Sequence, residues 1–136
     1  MKCLVKRLSD TAILPKYQRE GDAALDIYAD QSAVILPGKH AIISTGVAFA
    51  LPPGHVGLIW DRGGMAANHV LHTMAGVVDE NYRGELMIVM INLSDRAYQI
   101  EQGDRIAQMI IQPVVHVELE EADQLDETNR GEARFM

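Results

Sequence analysis

The sequence predicts an all-β domain, a sandwich or a barrel, and three observations predict it. Short apolar runs recur at regular spacing, turns bearing Gly or Pro separate them, and only Met65–His69 has room for a helical turn. Hydrophobic residues make up 48% of the 136 residues, enough for one domain with its own core and too many for disorder. No linker or internal repeat divides the chain.

Met1–Leu8 alternates weakly and is expected as an edge strand. Pro15–Asp22 is polar and irregular, and Ala23–Ala29 is short and apolar with Asp26 at its centre. Ala33–Leu36 reads as a strand, Pro37-Gly38 as a turn and His40–Leu51 as a longer strand. Pro52-Pro53-Gly54 turns the chain into a strand at His55–Trp60. Val70–Val78 and Leu86–Leu93 are apolar enough to be buried strands. Tyr98–Glu101 is brief, and Arg105–Leu119 reads as one long strand that bends at Pro113. A β domain over 1–119 is therefore expected, followed by a polar tail over 120–136. That tail is acidic, then basic at Arg130 and Arg134, and read alone it is a disordered terminus.

The net charge of -7 disfavours DNA or RNA as partner, because non-specific binding rests on neutralising phosphates with Lys and Arg. Aromatic residues, at 5%, leave few stacking platforms for bases. A phosphate-bearing partner would have to be small and gripped by locally placed arginines or a bridging metal. Cys3 is the single cysteine, so no disulfide forms within the chain and a reducing compartment is expected. No apolar run reaches the length of a membrane span and the first residues carry no secretion signal; a soluble, cytoplasmic protein without a membrane partner is the expectation.

Chemistry concentrates in Ala75-Gly-Val-Val-Asp-Glu-Asn-Tyr-Arg-Gly-Glu-Leu86, where a turn between two β-rich runs gathers an anion, a phenol and a guanidinium. A polar loop tip of this composition is ordinarily a solvated turn. Two further knots, Trp60–Ala66 and Gln102–Gln108, change the balance, since three Arg-bearing loops next to glycines can converge on a polyanion.

Taken together, the knots resemble the five motifs of the homotrimeric dUTP pyrophosphatases, in order and over nearly the whole chain. Ala23–Ala29 resembles the first, Asp61–Ala66 the second and Ala75–Glu85 the third. Gly103–Gln108 is similar to the fourth and Arg130–Phe135 to the fifth. The resemblance implies a jelly-roll β-sandwich and a threefold trimer with shared sites. In that family one subunit supplies a uracil-binding hairpin, a second the phosphate loops and a third the closing C-terminal arm. The implied reaction is hydrolysis of dUTP to dUMP and pyrophosphate, with Mg²⁺ on the triphosphate, bridged by water and with Asp26 as one possible contact.

On that resemblance Asp79 is the carboxylate that activates the attacking water, which a general base must reach by hydrogen bond. Tyr82 lies under the deoxyribose and leaves no room for a 2′-hydroxyl. Uracil is read by backbone groups of Gly76, Val77 and Val78, in a slot that Met87 also borders. Arg62 and Gln108 contact the phosphates or the water, with Gly63 and Gly64 beside the phosphate chain; planar guanidinium donors suit phosphate oxygens. Asp26 either orders waters of the metal site or ties the first motif to its neighbours. Asp104, Arg105 and Arg83 are expected in structural ion pairs nearby. Arg130 is expected on the γ-phosphate and Phe135 on the uracil ring, which makes the tail an arm that orders when nucleotide arrives.

Two departures from the family matter. Its second motif usually carries Ser after the Arg, where this chain has Gly63. A hydrogen bond to a charged group is worth about 1.5–3 kcal/mol, so one to two powers of ten in rate are at stake. The family arm continues after the Phe with Gly-Ser-Thr-Gly, whereas here the sequence reads Phe135-Met136; weaker closure is expected. The alternative readings are a dUTP-binding regulator with little turnover and, less favoured by the Asp79–Tyr82 match, a dCTP deaminase of the same fold. A non-enzymatic jelly roll leaves the motifs unexplained.

Overall fold

The computed structural model describes residues 1–135; Met136, the last residue of the expected arm, lies outside them. Ten strands and one short helix follow one another: β1 (Leu4–Arg7), β2 (Leu25–Tyr28), β3 (Ala33–Ile35), β4 (His40–Ala50), β5 (His55–Trp60), α1 (Gly63–His69), β6 (Leu71–Met74), β7 (Val77–Val78), β8 (Glu85–Asn92), β9 (Tyr98–Ile100) and β10 (Arg105–Pro113). They form two four-stranded antiparallel sheets, ordered β1-β4-β8-β6 and β2-β10-β5-β7, with β3 and β9 as a separate pair. The fold is all-β and jelly-roll-like.

Alternation explains why the sheets face each other. Along β8, Leu86, Ile88, Met90 and Asn92 point inward while Met87, Val89 and Ile91 point out. One apolar cluster joins these to Ile27, Ile106 and Met109 of the second sheet. Each fully buried Ile or Met contributes about 1.5–3 kcal/mol through its burial. Asn92 is the polar exception. Its Nδ2 donates to the carbonyls of Ile35 (2.8 Å) and Arg96 (2.7 Å), and its Oδ1 accepts from Ser94. A buried amide satisfied on both sides costs little and fixes the turn it binds.

Two expected strands are shorter than the apolar pattern suggests. Val70–Val78 is not one strand: Ala75 and Gly76 take positive φ values of 61° and 107°, which break extended geometry. The chain there leaves one sheet for the other, so β6 pairs with β8 whereas β7 pairs with β5. Val70 is no strand residue either; it ends α1 in the left-handed conformation. Arg105–Leu119 ends at Pro113, which lacks an N–H for further pairing, and Val115, Val117 and Leu119 are exposed. The helix begins at Gly63, two residues before the expected turn. Among the described residues no strand or helix forms beyond Pro113.

Candidate active site

The crossing at Ala75-Gly76 creates the first half of the site. The β6–β8 ladder runs from Leu71↔Asn92 to Met74↔Val89 and stops, leaving Glu85–Ile88 paired with β4 alone. The limbs splay around a slot of about 280 Å³, bordered by Gly76, Val77, Val78, Asp79, Tyr82 and Met87 among others. An unpaired strand edge in a slot can hydrogen-bond a planar ligand through its backbone.

Each limb is held from behind. Ile59 N–H donates to the Gly76 carbonyl at 2.8 Å. Only glycine fits at position 76, since a Cβ would lie 3.0 Å from both the Ile59 Cβ and its carbonyl oxygen at a strained φ. On the other limb, Glu85 Oε1 accepts from Ser44 Oγ and from Gly46 N–H (2.8 Å), filling the register shift between Ser44 and Ala48. Thr45 Oγ1 donates to the Leu86 carbonyl at 2.6 Å.

The turn between the limbs carries Asp79 and Tyr82 at the slot mouth. Tyr82 N–H donates to the Asp79 carbonyl (3.2 Å), and the Tyr82 hydroxyl donates to the Glu85 carbonyl (2.9 Å). The ring end lies against Gly84, so a Cβ there would displace the Tyr82 side chain. Arg83 donates to the carbonyls of Glu80 (2.6 Å) and Tyr82 (2.9 Å), so it braces the turn through backbone instead of the expected ion pair. Among the described residues no hydrogen bond engages the Asp79 carboxylate, which is exposed.

A second, polar cavity of about 530 Å³ holds the other predicted residues, Asp26, Arg62, Gly63, Arg105 and Gln108. It shares no lining residue with the slot. Asp26, nearly buried on β2, accepts from Arg62 Nε and Arg105 NH1, each at 3.2 Å. Arg62 also donates to the Arg105 carbonyl (3.3 Å). Gln108 Nε2 donates to the Asp61 carbonyl (2.7 Å), which leaves its Oε1 for a ligand. Asp104 makes no ion pair among the described residues; its carboxylate accepts Glu101 N–H (2.9 Å) and closes the turn into β10. Gly64 lies beside Gly63 in the first turn of α1.

Direct metal ligation has little to work with. Among the described residues no three His, Cys, Asp or Glu side chains group as a ligand set, and both oxygens of Asp26 already face guanidinium groups. Such a donor set fits a hard cation that arrives on a ligand and keeps its own waters better than one held directly by side chains.

Sequence reasoning missed Asp61 as a clamp. Its carboxylate accepts from His72 Nδ1 (2.6 Å), Thr73 N–H (2.6 Å) and Thr73 Oγ1 (2.8 Å), tying the loop between β5 and α1 to β6. Burial pushes the carboxyl pKa up, but these hydrogen bonds outweigh it and hold the pKa below the ordinary value. Partners eleven and twelve residues apart on different elements leave no periodic signal. The predicted arm residues stand apart from both cavities: Phe135 is fully exposed beneath Arg134, and Arg130 Nε donates to the nearby Ala133 carbonyl.

Comparison with known proteins identifies the family. A family model described as dUTPase matches residues 10–136. The deoxyuridine 5′-triphosphate nucleotidohydrolase of Clostridium kluyveri is 42% identical over 137 residues, covering 99% of this chain and 96% of that protein. The structure of Staphylococcus bacteriophage 80alpha dUTPase with dUPNHPP is similar at a TM-score of 0.92 and 30% identity, over 98% of this chain and 96% of that one. A variant dUTPase of phage phi11 of S. aureus, described as revealing the coordination of a structural Mg(II) ion, matches at a TM-score of 0.85 and 29% identity, over 91% and 98% of the two chains. A slot on an interrupted ladder, an arginine-lined cavity and similarity along nearly the full length lead to one conclusion: the chain belongs to the dUTPase family.

Proposed function

We propose that this protein hydrolyses dUTP to dUMP and pyrophosphate, at sites that two or more copies of the chain complete together. The observation that carries the reading is the slot at Gly76–Val78 and Met87, with an unengaged carboxylate, Asp79, and a phenol, Tyr82, at its mouth. Uracil enters the slot and is read by backbone of Gly76–Val78, where width excludes a 5-methyl group. Tyr82, pinned by Glu85 and Gly84, underlies the deoxyribose and crowds out a 2′-hydroxyl. Asp79 takes a proton from a water that attacks the α-phosphorus in line with the departing pyrophosphate.

Arg62, Gly63, Gly64 and Gln108 hold the phosphates. Asp26 positions Arg62 by accepting from its Nε, while Arg105 shares that carboxylate from the other side. Mg²⁺, when bound on the triphosphate, supplies charge neutralisation there, and Asp26 would contact it through water. Asp79 and Arg62 line separate cavities of one chain, which supports a homotrimer in which one copy's slot faces another's phosphate cavity. Residues 120–136 act as an arm from a further copy, with Phe135 stacking on uracil and Arg130 reaching the γ-phosphate. A mass in solution of three times 15.0 kDa tests the assembly.

A second reading has an observation of its own. Gly63 offers no hydroxyl to the phosphate chain, so tight binding with slow turnover, as in a regulator, suits the same geometry. Pyrophosphate release from dUTP with Mg²⁺ separates the two: release at an ordinary enzymatic rate supports hydrolysis, and binding without release supports the regulator. Ammonia from dCTP would contradict both.

A further inference from the structure

We propose that Arg19, which lies outside all five motifs, is a binding residue for the terminal phosphates of the nucleotide; the inference rests on the reading of this cavity as a dUTP site. Three arginines, Arg19, Arg62 and Arg105, and three aspartates, Asp22, Asp26 and Asp61, line the polar cavity, so its formal charge is zero. A nucleoside triphosphate brings about four negative charges, and Mg²⁺ offsets only two of them, so a neutral cavity leaves charge for a further cation to meet. Two of the three cations are already committed, since Arg62 and Arg105 both face the Asp26 carboxylate at 3.2 Å.

Arg19 is placed differently. It is exposed, and among the described residues its guanidinium has no hydrogen-bond or ion-pair partner. The neighbouring carboxylate that would quench it is turned away: Asp22 Oδ2 accepts the Arg19 backbone N–H (2.9 Å), and Asp22 N–H donates back to the Arg19 carbonyl (3.3 Å). This closed turn fixes the backbone of Arg19 on the cavity wall and leaves its planar donors uncommitted. A guanidinium in that position can take two phosphate oxygens at once. It also offsets what the chain lacks at Gly63, where an added Cβ would meet only open space.

Calorimetry with Mg²⁺ on the full chain, using dUpNHpp and dUMP as probes, tests the proposal. dUMP lacks the β- and γ-phosphates, so it separates phosphate contact from loop damage. For Arg19→Ala the affinity for dUpNHpp falls about tenfold while that for dUMP stays within about twofold; Arg19→Lys recovers part of the loss, as a single charge without the fork should. In turnover KM for dUTP rises and kcat holds. Unchanged dUpNHpp affinity in Arg19→Ala overturns the proposal, and so does an equal loss for both nucleotides. If the wild-type chain binds neither probe, the dUTP-site reading itself has failed, and that result is visible before any variant is made.

Discussion

Asp79 follows β7, and among the described residues both its carboxylate oxygens are unengaged, whereas most other polar side chains around the two cavities are tied down. That contrast suits a base that must accept a proton from water. Asp79→Asn keeps the shape and removes the base, so turnover is expected to fall about 10²–10⁴-fold while dUpNHpp binding persists; steady-state kinetics beside calorimetry reads both. Gly63 is the opposite case, a missing group with space ready for it. A Cβ at that position would have no atom within 4 Å, and its φ lies outside the left-handed region. Gly63→Ser is therefore expected to fold normally and to raise kcat about tenfold, the rate equivalent of one charge-assisted hydrogen bond; an unchanged rate would mean that the hydroxyl has no role in this chain. At this scale Asp79, Tyr82, Arg62 and Gln108 were singled out through the family resemblance, and the structure places them on the walls of the two cavities. Arg19 and the Asp61 clamp were not singled out, because their meaning lies in which partners they have across the fold.

The decisive element is the crossover at Ala75-Gly76, and it was half legible. An isolated Gly in an apolar run signals a break or close backbone approach, yet the apolar pattern of Val70–Val78 argued for continuity. Burial alternates the same way whether one strand or two produce it. Gly76→Ala sets a Cβ 3.0 Å from the Ile59 carbonyl at φ 107°. The expected cost is about 1–3 kcal/mol, seen as a lower Tm, together with weaker dUMP binding because the slot wall shifts. The Asp61 clamp joins the loop between β5 and α1 to β6, and its depressed pKa gives it a pH signature. A carboxyl whose folded pKa is lowered contributes stability above its unfolded value, near 3.8, and loses that contribution as pH falls through the folded pKa. Asp61→Asn should therefore flatten the fall in Tm below about pH 4.5; an unaltered acid limb would mean that the carboxylate is not what the clamp relies on. The strand predicted to Leu119 stops at Pro113, where its pairing with β5 reaches the Pro52–Gly54 turn, which a local pattern does not encode.

For the whole molecule, the fold class was plain in the short runs and turns, and two sheets around one core follow from their alternation. What composition and pattern did not reveal is that the predicted residues of the hairpin and those around Asp26 and Arg62 line two cavities with no residue in common, while Arg130 and Phe135 line neither. Contacts within one copy cannot report what a second copy brings, so assembly entered only through resemblance. At this scale the central claim is that no copy holds a complete site: the base and the uracil slot come from one, the phosphate grip from another. Mixing Asp79→Asn with Arg62→Ala chains measures it directly. Each variant alone is expected to be inactive. After unfolding and refolding together, random trimers should regain roughly a quarter of the wild-type activity, because every mixed ring contains one site with both residues intact. A mixture as inactive as its parents, with mixed trimers demonstrated by mass, would contradict the shared site and the catalysis built on it.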